Sequence, residues 1–339
     1  MARESSRLTI RRVLAALATI GGRERKTFRS IASNNFFLIT VIFLRQSGIF
    51  LYLIGAVVVL FPLSADPLRK IPPERLALWP LTRGERRKLR FLSPWINPLT
   101  WILAAFAAWA VKHSESWTAF VAAAVLFGVG FFVPHVSGEP RFLRWIPPIG
   151  GQLVRKNLRE ILLTLDFYLA LVLSIAGLTY RLLMPQLPDE AVMVMTLLIV
   201  LAMSSYAQCL FGLESVAGLT RYQLLPIPGW RVIAQKDAAF LLVIVVLTTP
   251  LSPLTGLAAG LAALTLGHAA SVTERREQTR WRFSSGASFG HGFTQVIAMM
   301  GAGVTAYRIS PLILIPCFAG CAGSAWWLGR KLRAPAEPD

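Results

Sequence analysis

Few side chains in this sequence could do chemistry, and their spacing matches no familiar catalytic centre. It has no Gly-x-x-x-x-Gly-Lys-Ser/Thr phosphate loop, no His-Glu-x-x-His helix and no Gly-x-Ser-x-Gly turn. Four histidines lie near the ends of apolar stretches, and no two of them have the spacing of metal ligands. We therefore expect no catalytic residues, no cofactor and no metal site. The histidines are His113, His135, His268 and His291.

The three cysteines all lie within apolar stretches. An odd number of such cysteines argues against a disulfide framework. Cys317 and Cys321 are four residues apart and share one face of a helix, so a redox or metal-binding pair is one interpretation. We favour the other, that they are small residues packed in an apolar core.

Asp166 is the one acidic residue well inside a clear apolar span, at 160–183. A charge near the middle of a bilayer costs about 2.5 kcal/mol or more, so such a residue needs a partner or a polar path. Two roles are open: a structural ion pair with Arg or Lys of the basic stretch 155–160, which we favour, or a residue that lines a transport pathway.

A basic segment that contains a proline occurs twice. The first copy runs Arg75-Leu-Ala-Leu-Trp79-Pro80-Leu81, and the second runs Arg221-Tyr-Gln-Leu-Leu225-Pro226-Ile227. In each copy an Arg lies five residues before the proline, and a second basic residue, Arg90 or Lys236, lies ten residues after it. Each copy follows one apolar block and precedes another. This pattern predicts two parallel repeats within the chain.

The composition is that of a membrane protein. Hydrophobic residues make up 55% of the 339 residues and charged residues only 15%. The charge that remains is basic, with 35 Lys and Arg against 17 Asp and Glu and a net charge of +18. Because the basic residues occupy the gaps between apolar blocks, they indicate membrane topology and contact with anionic lipid rather than with nucleic acid.

The apolar blocks predict an all-α, polytopic bundle of transmembrane helices, with about eight to ten hydrophobic segments of the length that crosses a bilayer. The block 36–63 is either one tilted helix or a short hairpin near Arg45, and we favour the hairpin because the basic N-terminus should also be cytoplasmic. Pro250 and Pro253 should separate the sixth and seventh segments. The segments are 36–63, 96–111, 117–134, 160–183, 190–211, 238–254, 255–270, 293–306 and 310–328.

Loop charge fixes the orientation, since basic loops tend to stay in the cytoplasm. We expect a multi-pass protein of the inner (cytoplasmic) membrane, whose N-terminal segment carries an amphipathic helix at 6–20 that lies on the membrane surface. The predicted parts are an N-terminal segment at 1–34, a first repeat at 35–211 with cytoplasmic loops 64–95 and 135–160, a second repeat at 212–329 with cytoplasmic loops 212–237 and 271–292, and a tail at 330–339.

The second copy carries a resemblance to a known family. From Phe211 to Lys236 the chain has an acidic residue, Glu214, then Gly and Thr, then Leu-Leu-Pro and the Lys that opens the next apolar block. This run resembles the cytoplasmic loop of ABC-2-type exporter permeases. It departs from that pattern by Leu219, which separates Gly218 from Thr220, and the first copy lacks the Glu and Gly-Thr portion.

The resemblance implies the membrane-spanning permease subunit of an ABC exporter. In that family the equivalent loop forms a helix that docks on a separate ATPase subunit, so the chain itself would be a transporter subunit and not an enzyme. An apolar centre with a polar rim is typical of such a contact. Candidate docking residues are Glu214, Arg221, Leu224, Leu225, Pro226, Ile227, Trp230 and Lys236 in the second copy, and Arg75, Trp79, Pro80 and Arg90 in the first.

Other interpretations remain. The internal repeat could supply both halves of a transporter, or the chain could pair as a homodimer or with a second permease. A membrane-embedded enzyme that modifies lipids would need acidic or nucleophilic residues clustered at one interface, and the sequence shows no such cluster. A non-catalytic membrane scaffold would also use docking loops, so only its partners would distinguish it.

Overall fold

The computed structural model describes residues 13–15, 17, 19, 34–35, 68, 78–79, 81–96, 101, 151–183, 188–214, 222, 227–274, 282–286 and 289–331. All regular secondary structure in these residues is helical, which confirms the predicted all-α class for this part of the chain. The chain divides into two compact units. One comprises Met1–Arg29 and Phe43–Arg144, and the other comprises Ser30–Ile42 and Trp145–Asp339.

Helix α1, Arg83–Leu92, belongs to the first unit and begins just after the first proline segment. Thr82 and Glu85 form a capping box at its start. The backbone N–H of Glu85 donates to Thr82 Oγ1 at 3.3 Å, and the backbone N–H of Thr82 donates to Glu85 Oε2 at 2.8 Å. A 3₁₀ turn, Ser93–Ile96, follows α1. The local sequence therefore fixes where this helix starts.

Leucines from three parts of the first unit form a small apolar core. Leu17 is fully buried and packs with Leu68, Leu81 and Leu89, and Trp79 lies against the same cluster. Leu17 lies on the apolar face of the predicted membrane-surface helix at 6–20. Leu17 is covered by protein, because Leu81, just before α1, and Leu89, within α1, pack against it.

The second unit contains seven described helices. They are joined by short connections where the structure describes them, and a 3₁₀ turn, Pro311–Ile313, precedes the last. The helices are α2, Gln152–Ile161; α3, Leu165–Leu183; α4, Asp189–Ala207; α5, Gly229–Thr248; α6, Pro253–Thr273; α7, Phe289–Arg308; and α8, Leu314–Lys331.

Four of these helices are long and apolar enough to cross a membrane: α3, α4, α6 and α8 together with the turn before it. This supports the predicted membrane character. The predicted spans 36–63, 96–111 and 117–134 lie almost wholly outside the described residues, so most of the first predicted repeat cannot be compared with the second. The repeat and the hairpin near Arg45 therefore remain predictions.

The predicted break between the sixth and seventh segments is confirmed, since α5 ends at Thr248 and α6 begins at Pro253. The start of α5 differs from the prediction. Hydropathy places it at 238, whereas the helix begins at Gly229, directly after Pro228. The reason is that Lys236 and Asp237, which resemble loop residues in the sequence, are both buried and paired within the helix bundle.

Helix α6 occupies the centre of the described bundle and packs against α4, α5, α7 and α8. Of its candidate span 72% is buried, against 22% for α8, which therefore lies at the periphery. Small residues allow the close approach: a Cβ atom at Gly267 would lie 2.6 Å from the carbonyl oxygen of Ala207 on α4. Such contacts are typical of helices that pack within membranes.

Candidate functional site

Lys236, near the start of α5, is a long charged side chain of which only 1% is exposed. Its Nζ donates to Glu214 Oε1 at 3.1 Å, to Glu160 Oε2 at 3.4 Å and to Asn157 Oδ1 at 3.3 Å. It also lies 5.0 Å from the centre of the Phe211 ring. Two carboxylates therefore compensate one buried ammonium group.

A second lysine and a tyrosine complete this group, which we call the Lys236 cluster: Lys236, Lys156, Glu160, Glu214 and Tyr222. Lys156 Nζ donates to both carboxylate oxygens of Glu214 at 2.7 and 2.8 Å, and to the Tyr222 hydroxyl at 2.8 Å. The Tyr222 hydroxyl donates in turn to Glu214 Oε1 at 2.8 Å. Glu214 therefore lies at the centre of the cluster, with a partner on three separate segments.

The contacts of Glu214 decide its protonation state. Burial alone would raise its pKa, but Lys236 and the hydrogen bonds from Lys156 and Tyr222 outweigh burial and hold the pKa below the usual value of 4.5. Burial would likewise lower the pKa of Lys156, and its bonds to Glu214 and Tyr222 raise it instead. Burial raises the pKa of Tyr222 to about 12. At neutral pH Glu214 and Lys156 are therefore charged and Tyr222 is neutral.

The Lys236 cluster closes the loop of the second proline segment. Glu214 follows α4 and Lys236 lies on α5, and their ion pair joins the two ends of the segment 214–236. Tyr222 ties a middle point of this segment to Lys156 on α2. The segment is therefore anchored at three points to the helices beneath it.

The structure separates the predicted docking residues into two groups. Glu214 and Lys236 are buried, so in this conformation they position the loop from within rather than form its contact surface. Trp230 is exposed and carries the Arg231 guanidinium 5.5 Å from its ring, while Ile227 is half-buried. Arg221, Leu224, Leu225, Pro226, Arg75 and Pro80, together with the side chain of Arg90, lie outside the described residues, and Trp79 is half-buried in the first unit.

Among the described residues the contacts of Asp166 are hydrogen bonds from neutral donors rather than the ion pair that we favoured. This carboxylate is fully buried at the start of α3 and accepts hydrogen bonds from the Ser284 backbone N–H at 2.8 Å, the Ser284 hydroxyl at 2.6 Å and the Asn34 amide at 3.0 Å. Lys156, one of the basic residues expected to neutralise Asp166, is bonded to Glu214 instead. Asp166 therefore holds Asn34 and Ser284 against α3.

A second group of buried, hydrogen-bonded side chains is centred on Gln295 of α7. Gln295 of α7 accepts hydrogen bonds from Asn35 at 2.8 Å and Gln208 at 2.6 Å, and donates to the Ala263 carbonyl at 2.7 Å. Asn35 also donates to Ser204 at 3.3 Å. These contacts satisfy polar groups inside an apolar bundle and tie α4, α6 and α7 to Asn35.

One group of reactive side chains was missed by the sequence analysis. His268 of α6 is fully buried, with Nε2 2.8 Å from Asp237 Oδ1 of α5 and Nδ1 2.7 Å from Ser324 Oγ of α8. Cys321 Sγ, also on α8, lies 3.9 Å from Asp237 Oδ2. Spacing along the chain could not reveal a group whose members lie on three helices. The available signal was polar residues inside apolar segments.

Comparison with known proteins finds no match: no family model, no curated protein and no solved structure resembles this chain above threshold. What the protein does must be inferred from its own residues and their contacts.

Proposed function

We propose that the protein is the membrane-spanning permease subunit of an ATP-driven exporter, and that the segment 214–236 docks on a separate ATPase subunit. The observation that carries this proposal is the ion pair of Lys236 with Glu214, at 3.1 Å, which closes the segment into a unit. A loop that receives force from a partner must be connected stiffly to the helices that move. This segment meets that requirement through side chains that are 1% and 3% exposed.

The outer side of the segment has the chemistry of a contact surface. Trp230 is exposed at the start of α5, and Arg231 lies over its ring. Aromatic and arginine side chains are enriched in protein interfaces. The sequence places Leu224 and Leu225 between Tyr222, which is anchored, and Ile227, which is half-buried. The apolar centre of the proposed contact therefore lies between two supported points.

The backbone at the start of α5 is also held in place. Gly329 of α8 packs directly against the backbone of Gly229 and Trp230, so closely that no side chain would fit between them. Displacement of the docking segment would therefore be transmitted to α5 and α8 together. In such a mechanism, ATP binding biases the bundle only to the extent that the ATPase holds one position of the segment more tightly than another.

The test is association with an ATPase. The tagged full-length protein would be purified from its native membrane in mild detergent, and co-purifying proteins identified by mass spectrometry. We expect a stoichiometric soluble subunit with a phosphate loop to accompany the wild type and Leu225→Met, and to be lost with Leu225→Glu. Ile309→Glu, the same kind of change at a residue that is 77% exposed directly after α7, is the control for added charge.

Two results would contradict the proposal. Equal recovery of the ATPase with Leu225→Glu, in a protein that is correctly inserted and monodisperse, would remove the docking role. Absence of any ATPase from intact wild-type protein would remove the permease role and favour a membrane enzyme or a scaffold. If the ATPase associates, its hydrolysis rate with and without the permease distinguishes a transporter from a passive scaffold.

A further inference from the structure

We propose that Asp237, His268 and Cys321 form a binding site for a divalent transition-metal ion of the zinc class, inside the helix bundle. The three residues lie on α5, α6 and α8, and their ligand atoms all lie within 4.8 Å of one another. Carboxylate oxygen, imidazole nitrogen and thiolate sulfur are the donors that Zn²⁺ prefers. This site goes beyond the docking role, and the argument for it does not rest on that role.

The present distances are close to those of a coordinated ion. Zinc binds nitrogen and oxygen at about 2.0–2.2 Å and sulfur at about 2.3 Å, so neighbouring ligands of a tetrahedral ion lie about 3–4 Å apart. Here Cys321 Sγ is 3.9 Å from Asp237 Oδ2, and His268 Nε2 is 2.8 Å from Asp237 Oδ1. An ion would need only a small separation of the imidazole and the carboxylate.

The charges also fit a buried ion. A divalent cation bound by one carboxylate and one thiolate has no net charge, which removes most of the cost of placing an ion in an apolar interior. Binding releases one proton, the thiol proton of Cys321, because ligand cysteines coordinate as thiolates. With Nε2 bound to the ion, the proton of the neutral imidazole of His268 would lie on Nδ1.

Ser324 supplies the partner that this tautomer needs. Its Oγ lies 2.7 Å from His268 Nδ1, and its own hydroxyl hydrogen is donated to the Cys321 carbonyl at 2.9 Å. The Ser324 oxygen can therefore accept the Nδ1–H of a histidine that binds a metal through Nε2. A hydrogen bond of this kind orients metal-binding histidines and strengthens their affinity.

The same side chains resemble a Ser-His-Asp catalytic triad, but the surroundings favour the metal. Ser324 lies inside α8, where the neighbouring backbone N–H groups are used by the helix and cannot stabilise an oxyanion. Its hydroxyl is committed to the Cys321 carbonyl. A thiol within reach of the same carboxylate has no role in such a triad, whereas it completes a set of three metal ligands.

The site can be tested with Co²⁺, which reports thiolate coordination through a charge-transfer absorption band. Full-length protein in detergent would be stripped with a chelator, titrated with Co²⁺ and then with Zn²⁺, and its bound metal measured by elemental analysis. We expect one equivalent of Co²⁺, a thiolate band, and displacement by Zn²⁺. Cys321→Ser should abolish the band, whereas Cys317→Ser, one helical turn away, should leave it unchanged.

Further variants separate binding from folding. Ser324→Ala keeps all three ligands, and we expect it to weaken the affinity for Co²⁺ by about 10–100-fold, as loss of such a supporting hydrogen bond does elsewhere. Absence of a thiolate band in folded wild-type protein would overturn the proposal, as would a band that survives Cys321→Ser. Covalent labelling of Ser324 by a fluorophosphonate probe would also overturn it, in favour of a nucleophilic serine.

Discussion

Replacement of Lys236 by Met is the sharpest test of the Lys236 cluster. Methionine keeps the length and apolar stem of the side chain and removes only the ammonium group. That group has hydrogen bonds to Glu214, Glu160 and Asn157, so its loss leaves a buried carboxylate with fewer partners. We expect the free energy of unfolding to fall.

The structure sets the size of this effect. Removal of one member of a buried ion pair costs about 3–5 kcal/mol. Glu214 keeps Lys156 and Tyr222 in Lys236→Met, so we take the lower end, about 3 kcal/mol. Lys156→Met is the matched comparison: this side chain is 44% exposed, and we expect it to cost only about 1 kcal/mol because water solvates what remains.

The assay is thermal or denaturant unfolding in detergent, with the cluster analysed as a double-mutant cycle. Glu214→Gln combined with Lys236→Met should be more stable than Lys236→Met alone, because one lysine, Lys156, then faces one carboxylate instead of two. Equal costs for Lys236→Met and Lys156→Met would refute the reasoning. So would a double variant whose loss of stability is the sum of the two single losses.

Two further predictions concern the pH dependence due to Glu214 and the buried carboxylate of Asp166. The pKa of Glu214 is lower in the folded protein than its unfolded value of 4.5, so its ionisation stabilises the fold above pH 4.5 and this stabilisation is lost as the pH falls below that value. The melting temperature measured against pH should fall in this range. Glu214→Gln should remove most of that pH dependence. Asp166→Asn replaces an oxygen that accepts from Ser284 by an amide that donates, so we expect a loss of about 2 kcal/mol in the same unfolding assay, and an unchanged stability would contradict the assigned hydrogen bonds.

The membrane helices could be predicted where the apolar residues form one unbroken run. The segments 160–183 and 190–211 correspond to α3 and α4, and Pro250 and Pro253 marked the break before α6. Hydrophobicity and proline act locally, so a single sequence contains this information. These local signals do not show which helices pack against each other.

The sequence failed where a polar residue is buried. The predicted cytoplasmic loop 135–160 contains most of α2, a helix whose Glu160 compensates Lys236, 76 residues away. Lys236 itself was predicted to be a docking residue. A charged residue can be buried when an oppositely charged residue lies beside it. When the two residues are as far apart in the sequence as Glu160 and Lys236, only the folded chain shows that they are partners.

The same limitation explains Asp237 and His268. Each is a single polar residue in an apolar helix, and each was assigned no role in the sequence, although together with Cys321 they are the one candidate metal group among the described residues. Their contacts join three helices that are separate in sequence. Pattern along one helix cannot reveal them, because the information is in the packing between helices.

Lys236 and Asp237 are neighbours on α5, and this places the two buried clusters on one rigid element. Successive residues of a helix point about 100° apart, so Lys236 faces α2 and the docking segment while Asp237 faces α6 and α8. A displacement of the segment that moves Lys236 must also move the Asp237 carboxylate relative to His268. An ion held by Asp237 and His268 would in turn resist that displacement, because coupling between two sites is reciprocal. The first three turns of α5 are thus the place where events at the proposed docking surface and in the bundle would meet.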